Sequence, residues 1–100
     1  MNNDEPLRTV LLGDIRNLDV LTEVPGIQPL ADLFLLHRIL PAKSTTDALH
    51  LSYAVVFEMD YLASWNFKHL ANVHRQTMLN RFNLDRGLFI PRLVSPSYLF

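Results

Sequence analysis

The chain has 100 residues, 49% hydrophobic and 19% charged, with a net charge of −1. That length holds one small domain and not two, and the composition predicts a packed core rather than disorder. Nine basic against ten acidic side chains give no overall polyanion-seeking surface, and the absence of cysteine excludes disulfides and thiolate zinc sites.

The start, MNNDEPLR, is polar and acidic and does not read as a secretory signal. No apolar run is long enough to span a bilayer, so a cytoplasmic chain without a membrane partner is expected. Residues 7–12 have helical character and are closed by Gly13. Residues 17–24, NLDVLTEV, alternate and carry β-branched side chains, which predicts a strand. PGIQP follows as a turn. Pro29 then suits the first turn of a helix, PLADLFLLHRIL, that Pro41 stops.

Residues 44–58 form the clearest element, a helix apolar nearly all round and therefore predicted to be buried between layers. DYLASW reads as a short buried strand. Residues 69–82 form a further helix, broken by Gly87. LFIPRLV is a last strand, placed at an edge because Pro91 cannot donate to a ladder. The order α-β-α-α-β-α-β predicts an α/β fold with a mostly parallel sheet. Three strands are too thin a sheet for so apolar a middle helix. Further covering surface is expected from a partner chain or from a segment missing at the N-terminus.

Asp47 falls in the first turn of the middle helix, and Asn66 at the C-terminal end of the next strand. In a parallel α/β unit the helix N-terminus and the strand C-termini share one edge of the sheet, where such folds place ligands. A carboxylate and an amide carbonyl are hard oxygen donors suited to Mg²⁺ or Mn²⁺. Against this, Ser44-Thr45-Thr46-Asp47 fits the capping-box pattern, and an acidic residue is favoured in a first turn by the helix dipole. Asn66 after a strand also suits a turn. From pattern alone, capping is the commoner role for Asp47.

His50 lies one turn beyond Asp47 on a similar face. His69 and His74 are five apart, which does not align them as a zinc pair on a helix. Lys68, Arg75 and Arg81 suggest a basic strip on or near the last long helix, either a solvated face or a place for a phosphate backbone. There is no Gly-rich phosphate loop and no serine nucleophile elbow.

The stretch LPAKSTTDALHLSYAVVFEMDYLASWNFKHLANVHR resembles a group of bacterial PIN domains. The likeness is carried by Pro41-Ala42-Lys43, by Asp47-Ala48-Leu49-His50 with Ala54, and by Asp60-Tyr61-Leu62. Trp65-Asn66, His69, Ala71 and Asn72 continue it. GLFIPRLVSPSYL resembles the family's last strand and its ending. NLDVLTEVPGIQPLADLFLLHR fits the preceding segment more loosely, so the resemblance covers nearly the whole chain.

What the resemblance implies is a three-layer fold with a mostly parallel central sheet. It also implies metal-dependent hydrolysis of RNA phosphodiesters by acidic groups holding Mg²⁺ or Mn²⁺, often in VapC-type toxin–antitoxin pairs. Asp47 becomes a metal carboxylate, and Asn66 occupies the position where many PIN domains carry a further Asp. His50, Lys68, His69 and Arg75 become candidates for RNA contact or site support.

The family's first metal Asp, at the end of an N-terminal strand, and its Glu on a later helix have no counterpart here. The expectation is therefore a single partial domain over residues 1–100 that lacks the first central strand. Its nuclease activity would be impaired unless another segment supplies carboxylates. The alternative is a non-catalytic module that binds nucleic acid or protein, either an antitoxin partner or a second copy of itself through an open sheet edge.

Overall fold

The computed structural model describes residues 9–11, 24–64, 67 and 69–98. In chain order these form β1 (Thr9–Leu11), α1 (Ile27–Leu36), α2 (Thr45–Val56), β2 (Tyr61–Ala63), α3 (His69–Arg86) and β3 (Arg92–Val94). A 3-10 turn, Pro96–Tyr98, follows. The strands pair in parallel in the order β1-β2-β3, with Leu62 level with Val10 on one side and Leu93 on the other. The α/β class with a parallel sheet is thus as the sequence predicts.

Of the helix expected over residues 7–12, the described part, Thr9–Leu11, is instead a strand, and residues 7, 8 and 12 lie outside the described residues. An apolar run of a few residues carries no decisive period, and pairing with Tyr61–Ala63 settles its state. The strand expected at 17–24 lies outside the described residues except for Val24, which bends into α1.

Helix α1 buries Ile27, Leu30, Ala31 and Phe34, the spacing of one helical face. It packs on α2, which also meets β1 and β2, while α3 covers β3. Leu51 and Ala54 of α2, Leu62 of β2, Leu79 of α3 and Leu93 of β3 close the core around Phe34. The Phe34 and Phe82 rings lie 5.5 Å apart at 58°, an edge-inclined pairing between α1 and α3.

Helix α1 ends at Leu36, well before Pro41. The cause is a Schellman closure, in which Arg38 donates to the Leu35 carbonyl and Ile39 to that of Phe34. The same pair of bonds ends α2, from Glu58 to Val55 and from Met59 to Ala54, and ends α3, from Gly87 to Leu84 and from Leu88 to Asn83. Each closure needs one left-handed residue. Gly87 meets that need at φ 67°, whereas Arg38 and Glu58 adopt φ 58° and 53° with side chains attached.

Left-handed backbone costs an ordinary residue roughly 1–2 kcal/mol, and the extra freedom of glycine in the unfolded chain takes back about half of that. Glu58→Gly is therefore expected to stabilise by about 0.5–1 kcal/mol. A higher urea midpoint at unchanged slope would register it.

Strand β3 forms one end of the described sheet, in keeping with the place predicted from Pro91. Gln76 of α3 reaches it. Its side-chain NH₂ donates to the Pro91 carbonyl (3.0 Å), and its carbonyl accepts the Leu93 N–H (2.7 Å). Two outward backbone groups of this edge are thereby satisfied by a side chain rather than left as a template for another strand.

Candidate functional site

Helix α2 opens at Ser44, whose N–H donates to the Pro41 carbonyl at 2.9 Å and whose carbonyl accepts from Ala48 at 2.9 Å. The Ser44 side chain makes no capping bond, so the serine half of the predicted capping box is not formed. Asp47 stands in the first turn, 8% exposed, where the helix dipole favours its charge.

Asp47 lines an open cleft of about 290 Å³ together with Leu40, Pro41, Ser44, Phe67 and Arg75. Three further parts of the chain join the start of α2 there. The loop between α1 and α2 brings Leu40 and Pro41. The turn after β2 brings Phe67, whose N–H donates to the Ser64 carbonyl at 3.0 Å. Helix α3 brings Arg75, whose Nη1 donates to the Ile39 carbonyl at 3.3 Å and so fastens α3 to the loop. The cleft thus brings Asp47 at the start of α2 near Phe67, which follows β2 in the chain.

His50 lies one turn further along α2. It is 2% exposed, and neither ring nitrogen has a hydrogen-bond partner. Burial pushes its pKa below the usual histidine value, and the nearby Asp47 carboxylate offsets part of that shift. So enclosed, the imidazole has no surface to offer RNA.

Asn66 and Lys68 lie outside the described residues, as does the side chain of His69, whose backbone opens α3. Arg75 and Arg81 do not form one strip. Arg75 lines the Asp47 cleft, whereas Arg81 lines a separate groove with His37, Ile39, Met78, Phe82, Asp85 and Arg86. Among the described residues no group of three or more His, Cys, Asp or Glu is placed to hold a metal ion. Nor is any described helix long and apolar enough to cross a membrane.

Sequence reasoning overlooked Ser44 and Phe67 as cleft residues, and Arg38 beside it. The first two were implicit in their places next to a helix start and a strand end. Arg38 carries no local signal.

Comparison with protein-family models, with curated proteins and with solved structures found no match to this chain.

Proposed function

We propose that this chain is a PIN-type, nuclease-like protein, in which Asp47 provides a carboxylate for Mg²⁺ or Mn²⁺ at a site that hydrolyses RNA phosphodiesters weakly. The observation that carries this reading is the cleft at the C-terminal edge of a parallel sheet, with Asp47 at a helix start on one side and Phe67 after β2 on the other. Open α/β sheets hold ligands at that edge.

The donors lining the cleft fit a loosely held ion. The Asp47 carboxylate and the Ser44 hydroxyl are hard oxygen ligands, but a single carboxylate supplies less charge than such an ion usually draws, and Arg75 lies in the same cleft. When bound, the metal would activate a water and steady charge on a phosphate. Asp47 would hold it, Arg75 would attract the phosphate, and Leu40, Pro41 and Phe67 would limit solvent around them. The three-layer PIN arrangement belongs to the same proposal.

The test is cleavage of a labelled RNA in Mg²⁺ or Mn²⁺. Slow cleavage is expected, lost in EDTA and reduced by at least ~100-fold in Asp47→Ala, in line with the loss of a group that acts on the transition state. Cleavage that persists unchanged in the variant or in EDTA overturns the reading.

A second reading, a binding module without catalysis, is favoured by the Arg75 guanidinium, which lines the same cleft as Asp47. It predicts RNA binding with no metal-dependent cleavage at any concentration of protein.

A further inference from the structure

We infer that Arg38 and Arg75 form a phosphate-binding track beside the Asp47 cleft, which holds the flanking backbone of a single-stranded RNA without any metal. The inference rests on the proposed site as the place where the strand ends its path, but its chemistry is separate from Asp47.

Next to the Asp47 cleft lies a wider open groove of about 570 Å³, lined by Leu35, Leu36, Arg38, Leu40, Pro41, Ala42 and Arg75. Leu40, Pro41 and Arg75 line both, so the two are continuous. Among the described residues, the charged side chains lining the wider groove are the guanidinium groups of Arg38 and Arg75. Arg75 commits one nitrogen to the Ile39 carbonyl and keeps other donors in reserve. Arg38 is exposed just past the end of α1, on a backbone fixed by the Schellman bonds.

The other described residues lining the groove are apolar. Leu36 is 72% exposed, and Pro41 and Ala42 are exposed beside it. Cations alone would serve any polyanion. Cations interleaved with exposed apolar side chains suit a strand whose bases are unstacked and need covering. A duplex hides its base faces and would leave Leu36 in water.

The test is binding of a fluorescent 12-nucleotide single-stranded RNA, read by anisotropy in EDTA over a salt series. Arg38→Gly is the informative variant, because it removes the guanidinium while relieving the left-handed strain at φ 58°. Its thermal midpoint is expected to rise while its affinity falls roughly fivefold. The slope of log affinity against log salt should fall by about 0.7, one phosphate contact on a single strand. Arg38→Lys should recover part of the affinity and the whole of the slope.

Wild-type protein that fails to bind the RNA at low salt overturns the inference. So does Arg38→Gly binding with unchanged affinity and slope. A polyglutamate peptide of equal charge that binds as tightly as the RNA also overturns it, since the groove would then be an acidic-peptide site. Because EDTA removes any metal, failure of the Asp47 reading leaves this result standing, and Arg38→Gly binding RNA as wild type does would leave metal-dependent cleavage untouched.

Discussion

Phe34→Ala is expected to destabilise the protein by about 3–5 kcal/mol, the range for truncating a fully buried aromatic residue. A domain of this size has on the order of 5–15 kcal/mol in total, so the variant should be partly unfolded at physiological temperature. The position concentrates several functions. The Phe34 ring is fully enclosed and packs against Phe82 of α3. Its carbonyl accepts the Ile39 N–H that ends α1. Loss of the ring therefore loosens the turn that delivers Ile39 and Leu40, and with it the Arg75 anchor beside the cleft. Urea unfolding at 25 °C reads the stability change. A loss below about 1 kcal/mol would mean that the site collapses around the vacancy and that α1 is not held as described.

His50→Leu should act in the opposite direction. A buried imidazole with both nitrogens unpartnered carries the desolvation cost of those groups, about 1–3 kcal/mol, and an apolar side chain of similar size removes it. The change should also alter the pH dependence. The folded state lowers the pKa of His50, so below the ordinary value of 6.5 the unfolded chain binds more protons than the folded one. The contribution of the neutral imidazole is fully present above about pH 7.5. It falls as pH drops through 6.5, and levels off once pH passes below the depressed folded value. Wild-type stability should therefore decline from pH 8 to pH 5, and that part of the decline should vanish in His50→Leu. A variant less stable than wild type at pH 8 would show that the imidazole is partnered in solution.

Much of this architecture was legible in the residues. The long apolar run before Glu58 gave α2, the run from Pro29 marked α1, which begins two residues earlier at Ile27, and Gly87 marked the end of α3. What escaped depends on distant partners or on bonds without a residue signature. Thr9–Leu11 is a strand because Tyr61–Ala63 lies beside it. The closures at Arg38 and Glu58 use the geometry glycine usually marks, but neither residue announces it. Arg38 and Arg75 are far apart in sequence and share a groove only because α3 is fastened to the loop after α1. Asp47 was legible as a residue of interest from its place in a helix start. Which role it plays there is a question of what charge it holds.

The most direct test of that role is paramagnetic line broadening. Mn²⁺ titrated into ¹⁵N-labelled protein should broaden the amides of Ala48 and Phe67 first and saturably, and Asp47→Asn should abolish the effect while leaving the spectrum otherwise folded. Broadening confined to exposed carboxylates such as Asp32 and Asp85, with Ala48 and Phe67 unaffected, would contradict a metal site at Asp47.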